Sequence, residues 1–355
     1  MKYCYKKILI FLFVLILVQI TGCMDTENSK KEELSSELNI LNWEDYFAPN
    51  IIEDFEEKYN VTITIDTFDE ENYMISQLET NPGDYDVVIT SDISVRELIA
   101  TKTLATLDKN NIPNLKNINS KFLDKSFDPG NLYSIPYLWG TTGIAYNSSA
   151  INEEITSWSA LWNTTYNGTI GMLDNTQEVI GATLKYLGYS LNPSNLTQIQ
   201  EAENLLLIQK NLIQGYFGSM DIINKLVNGE LKISQCYSGD AFFAADMNEN
   251  ITYVIPEEGA SIWIDNLIIP ADSPNKYTAE VFINYILSPQ VSANITNYQW
   301  YANPNEEAKS FIDSEILETP GIYPSESVLE KCEFFEELNG EMNNEYNRVW
   351  SNLKN

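Results

Sequence analysis

The stretch Leu38-Asn39-Ile40-Leu41-Asn42-Trp43 alternates as a strand does, residues 47–59 carry Ile51, Ile52, Phe55 and Tyr59 at helical spacing, and Val61-Thr62-Ile63-Thr64-Ile65 is β-branched throughout. This predicts a β-α-β unit. The pattern repeats with a helix over 73–78, a buried strand Tyr85-Asp86-Val87-Val88-Ile89-Thr90, and a helix over 94–100 with Ser94 as its N-cap. Strands alternating with helices at this spacing predict a mostly parallel sheet covered on both faces, with ligands at the carboxyl ends of its strands. The residues just after Leu41 and Ile89 are therefore candidates. A second set of elements follows Thr141: 143–146, 157–162, 168–173, helices near 178–187 and 196–209, and 222–227, continued by 231–236, 241–247 and 251–255. It predicts a second lobe. Leu267-Ile268-Ile269-Pro270 then starts afresh, followed by helices over 278–287 and 289–296 and a tail, 323–353, that reads as helical.

The first residues follow neither pattern. Lys2, Lys6 and Lys7 precede an unbroken apolar run from Ile8 to Val18, and then comes Gln19-Ile20-Thr21-Gly22-Cys23. The run is shorter than the roughly 20 residues of a spanning helix and has basic residues on its N-terminal side only, which marks an export signal. Ile20-Thr21-Gly22-Cys23 resembles a lipobox, so residues 1–22 are expected to be removed and Cys23 to carry lipid. A plain cleaved signal with Cys23 incidental is the other reading. Residues 23–37 are expected to form a polar, acidic tether.

Composition narrows the function. A chain of 355 residues at 44% hydrophobic has apolar material for two ordinary cores. Asp+Glu 51 against Lys+Arg 21 gives a formal charge of -30, and loss of the signal takes lysines but no acids with it. Such a surface repels phosphates, which excludes nucleic acid as a partner. The chain has no histidine, which removes the commonest general base, the usual triads and most catalytic zinc sites. No motif sets a nucleophile beside a base, so binding is favoured over catalysis, with a secreted carboxylate-pair hydrolase as the enzymatic alternative. No cofactor or metal is expected. Of the cysteines, Cys236 and Cys332 remain in the folded body, as one bridge or as two free thiols.

Several segments, in this order and spacing, resemble the extracytoplasmic spermidine/putrescine-binding proteins of polyamine ABC transporters, a bacterial solute-binding protein family. They are Leu41-Asn42-Trp43-Glu44-Asp45-Tyr46, Tyr85-Asp86-Val87-Val88, residues 127–140 (FDPGNLYSIPYLWG), Ser157-Trp158-Ser159-Ala160-Leu161-Trp162, Tyr237-Ser238-Gly239-Asp240-Ala241-Phe242, and Ile262-Trp263-Ile264-Asp265-Asn266-Leu267-Ile268-Ile269-Pro270. The resemblance covers nearly the whole mature chain. It implies a two-lobe, periplasmic-binding-protein-like α/β fold of type II, with mostly parallel sheets covered by helices and the ligand in the cleft between the lobes. The chain would cross between lobes near Thr141, near Asp265 and near Asn303. Lobe one is then 38–142 with 266–302, and lobe two 143–265 with 303–355. The implied protein is a monomeric receptor, exported and held by lipid at the outer face of the membrane, that hands its ligand to a permease and its ATPase.

A polyamine is an alkyl chain bearing ammonium groups, so its site needs carboxylates at the charges and flat aromatic walls along the methylenes. By position, the resemblance carries aromatic contacts onto Trp43, Tyr46, Tyr237, Trp263 and Tyr301, the central carboxylate onto Asp265 and a second acid onto Glu178. Trp263 and Asp265 are two apart in an extended segment and so share a face, which argues for a site on the residues alone. Isolated tryptophans such as Trp158 and Trp162 read as core. Three positions depart from the family pattern: Asn175 stands where an aspartate is usual, Ile93 replaces an aromatic with Ser91 and Asp92 as polar neighbours, and Phe335 or Glu336 falls where a glutamine is usual. A binder of thiamine, ferric iron or another amino-alkyl compound is the alternative within the superfamily. A surface adhesin or sensor keeping the fold is a further one.

Overall fold

The computed structural model describes residues 33–44 and 46–355; the expected signal, Cys23 and most of the expected tether lie outside them. The described strands are β1 (Glu37–Trp43), β2 (Thr62–Phe68), β3 (Val87–Ser91), β4 (Ser134–Asn147), β5 (Ile170–Leu173), β6 (Ile213–Phe217), β7 (Ile233–Tyr237), β8 (Ile251–Val254) and β9 (Ser261–Ile268). The α-helices are α1 (Asn50–Tyr59), α2 (Glu71–Thr80), α3 (Asp92–Ala100), α4 (Thr176–Tyr186), α5 (Leu196–Gln209), α6 (Ser219–Val227), α7 (Ser238–Met247), α8 (Lys276–Ile286), α9 (Pro289–Gln299), α10 (Ser314–Leu317), α11 (Glu326–Leu329) and α12 (Gly340–Lys354). None of these helices is long and apolar enough to cross a membrane.

The strands form a sheet in the order β2-β1-β3-β9-β4-β7-β5-β6, with β8 also on β4. The flanks β2-β1-β3 and β7-β5-β6 are parallel, as β-α repeats require. Between them β9 and β4 run antiparallel to every neighbour. The mostly parallel expectation thus holds for the flanks and is corrected at the centre, because β4 and β9 are strands by which the chain passes from one half to the other. β4 pairs through Ser134–Thr142 with β9 and from Thr142 to Asn147 with β7 and β8, and all 14 of its residues are buried.

Each half of the sheet carries apolar cores built by strand alternation. Leu38 and Ile40 enter one core with Phe55, Ile264 and Phe282, while Leu41 joins Val88, Leu98 and Ile268 in another. In the second half Ile144 packs with Trp158, Ile180 and Leu206, and Ala145 with Leu173, Ile222 and Cys236. This is the two-lobe α/β fold.

The packing moves three boundaries. The tether is shorter than 23–37, since Leu34 already packs on the first core and the Ser35 amide donates to Thr278 Oγ1. Ala308, Ile312, Ile316 and Ile322 lie in the first core, so the chain does not leave it at Asn303; Tyr346, Val349 and Leu353 of α12 are in the second. The tail is also not one helix. Between α11 and α12 it is extended, and Glu333 bridges Ser261 in parallel, an exchange of backbone hydrogen bonds that helical geometry excludes. Trp158 is core as expected, its Nε1 donating to the Gly259 carbonyl. Cys236 and Cys332 are free thiols.

Candidate functional site

β9 orders the site. Its alternation sends Trp263 and Asp265 to one face, with Gly140 of β4 opposite Trp263, and Ser91 of β3 opposite Asp265. Gly140 is required there: a Cβ on it would overlap the Trp263 indole. The Trp263 ring meets Tyr301 edge-on with centroids 5.3 Å apart and Tyr237 at 6.0 Å. Tyr301 in turn meets Tyr46 at 6.1 Å. Tyr46 reaches the site because the chain turns after β1, and Tyr137 Oη donates to its carbonyl, fixing that turn. From there Tyr46 Oη donates to Asp265 Oδ2 at 2.5 Å. Tyr301 Oη donates to Asp240 Oδ1 at 3.2 Å, and its ring rests on the start of α7 at Gly239, where any side chain would overlap it. The result is a cage of four aromatic rings between two carboxyls.

Electrostatically the carboxyls are under-compensated. Burial raises Asp265 to about 7, opposed by the Tyr46 hydrogen bond and reinforced by Glu71 and Asp92. Burial likewise raises Asp92 to about 7 against the pull of Arg96, Glu178 to about 7 against hydrogen bonds from Ser261 and Thr142, and Asp240 to about 6 against those from Ser219 and Tyr301. Burial also lifts the Tyr46, Tyr237 and Tyr301 phenols well above their ordinary range, so all three are neutral donors. Among the described residues no ion pair involves Asp240, Asp265 or Glu178, and none of the acidic groups is clustered to hold a metal ion. A cation set among these oxygens would supply the missing charge, with ring faces for its carbon chain.

The other expected residues take varied places. Asn175 caps α4, its Oδ1 accepting from the Gln177 and Glu178 amides, and its Nδ2 points to Tyr237 Oη at 3.4 Å. Glu178 sits beneath, accepting from Thr142 and Ser261. Ser91, not Ser94, caps α3, so its hydroxyl is engaged with the Ser94 amide. Asp92 opens α3 and is buried against the β9 backbone at Ile264. Trp43 packs on Phe68 at 4.3 Å and makes no ring contact with Trp263, so tyrosines rather than a second indole face Trp263. Asp240 and Glu71 were not singled out by sequence. Asp240 lies three residues past Tyr237 on the first turn of α7, a spacing that could have shown it; Glu71 was hidden in the run Asp69-Glu70-Glu71, which reads as a solvated helix start.

Two lobes joined by shared strands, with a buried cage at the junction, define a solute-binding protein. A family model for bacterial extracellular solute-binding proteins matches residues 50–321, and the chain belongs to that family. It is 32% identical to the putrescine-binding periplasmic protein SpuD of Pseudomonas aeruginosa, over 89% of this chain and 91% of that one. It is 31% identical to the spermidine/putrescine-binding periplasmic protein of Escherichia coli, with the same coverage. Among solved structures, the spermidine/putrescine ABC transporter substrate-binding protein PotD of Streptococcus pneumoniae superposes with a TM-score of 0.84 at 32% identity, covering 90% of this chain and 99% of that one. The TpPotD lipoprotein of Treponema pallidum gives 0.81 at 25% identity, covering 89% and 99%.

Proposed function

We propose that this protein is an exported receptor that binds a polyamine of the putrescine or spermidine kind and delivers it to a membrane permease driven by an ATPase, without catalysis of its own. The observation that carries the reading is the cage of Tyr46, Tyr237, Trp263 and Tyr301 around Asp265, with Asp240 beyond Tyr301. Buried carboxyls without counter-ions beside aromatic faces match an alkyl chain with ammonium groups, and do not suit an anion. The names of the relatives support the same ligand class. Trp43, Ser91, Asp92, Asn175 and Glu178 belong to the site in this reading, some as its supports. The proposed lobes meet at β4 and β9, the protein acts as a monomer, and lipid on Cys23 holds it at the outer face of the membrane.

Thermal-shift measurement with putrescine, spermidine, spermine, basic amino acids, thiamine and ferric iron tests the reading. Stabilisation by the polyamines above the rest is expected. No shift with any polyamine would overturn it.

A further inference from the structure

We propose that Glu71 is an amine-binding carboxylate of this cleft, supplying from the start of α2 the charge that Asn175 cannot offer. This rests on the polyamine reading above and adds a residue to it. Glu71 is half-buried, and Oε1 accepts from Thr90 Oγ1 and the Ser91 amide, each at 3.2 Å. That anchor holds the carboxylate at the carboxyl end of β3, where Ser91 stands opposite Asp265 in the sheet. Its second oxygen accepts no hydrogen bond and joins no ion pair among the described residues.

Glu71 is close enough to act electrostatically on Asp92, on Asp265 and on Tyr237, which is a wall of the cage contributed by the other half of the sheet. With its Oε1 anchored to Thr90 and Ser91, it stands within electrostatic reach of both sides of the cleft. Arg96, a cation on this side, pairs with neither Glu71 nor Asp265: Nη2 donates to the Phe335 carbonyl at 3.1 Å, and its charge acts on Asp92. Asp265, nine-tenths buried, commits Oδ2 to Tyr46 and leaves Oδ1 without a protein donor. Across the cleft, both acceptor directions of Asn175 Oδ1 are filled by backbone amides, so it presents only an NH2. One ammonium placed between Glu71 and Asp265 satisfies both free oxygens.

Isothermal calorimetry with putrescine and spermidine on wild type, Glu71→Gln and Glu71→Gln/Asn175→Asp tests this. The glutamine keeps an acceptor for Thr90 and Ser91, so the ligand-free melting temperature is expected to stay at the wild-type value while affinity falls by roughly tenfold or more. Asp at 175 still caps α4 and returns a charge to the cleft, so the double variant is expected to regain much of the loss. Affinity of Glu71→Gln within about twofold of wild type would overturn the proposal. So would a loss of affinity that comes with a lower ligand-free melting temperature and is not regained in the double variant, which would make Glu71 structural. If wild type itself gives no heat with either amine, the polyamine reading falls, and this inference with it.

Discussion

Asp265 sits in a field opposed to its own charge, buried, with Glu71 and Asp92 near and only the Tyr46 hydroxyl in its favour. An arriving ammonium would reverse that balance, so Asp265→Ala is expected to weaken polyamine binding by about 2 kcal/mol or more, read by calorimetry. A pH dependence follows from the same field. The carboxyl titrates near 7 in the folded protein and near its ordinary value, about 4, in the unfolded chain. The folded state therefore holds a proton that the unfolded state has released, and ligand-free stability is lost as pH rises across that window. Asp92 and Glu178 act in the same direction. Melting curves from pH 4 to 8 are expected to show Asp265→Asn gaining on wild type as pH rises. Amine affinity of wild type, which needs the ionised form, is expected to fall as pH drops below about 7.

At the scale of elements, glycines decide where the rings can lie. α7 begins under Tyr301, and Gly239→Ala would favour the helix yet drive a methyl into the ring. The expected result is a melting temperature lowered by a few degrees, from about 1–3 kcal/mol of overpacking, together with weaker amine binding. Unchanged melting and unchanged binding would mean that Tyr301 is not seated there. The elements themselves were largely legible, because period-2 and period-3.6 patterns are local: the helix over 196–209 matches α5, and the i, i+2 relation of Trp263 and Asp265 follows from an extended backbone. What escaped was set by distant partners. The break in the tail depends on Glu333 meeting Ser261, and the cap of α3 on the chain leaving β3 at Ser91. Asp240 hints at itself by its spacing from Tyr237 but is placed by its bond from Tyr301, and Glu71 is placed by Thr90 and Ser91. The place of Trp43 against Phe68 is equally a tertiary outcome.

On the scale of the whole molecule, the extended piece between α11 and α12 ties the halves together. Phe335 accepts from Arg96 and Phe334 takes the Lys125 ammonium over its ring at 4.6 Å, while Asn192 bonds the backbone on either side and Lys185 pairs with Glu333. Outside the described residues, the proposed anchor has its own test. Cys23→Ala is expected to move the protein from the membrane fraction to the medium, and mass spectrometry of the wild-type N-terminus to find an acylated cysteine; a soluble wild type would refute the anchor. If the proposed receptor closes about its shared strands, the position of Trp263 and Asp265 on β9 would govern the sequence of events during capture. Points near an axle travel least when arms swing, so these two groups would offer the same landing place whether the jaws gaped or shut. In the proposed receptor, Tyr46 on one arm and Tyr237 with Asp240 on the other would draw away from them whenever the jaws opened and return on closing. On that proposal an ill-fitting solute would alight without being retained, and discrimination among amines would fall to the closing step rather than to first touch.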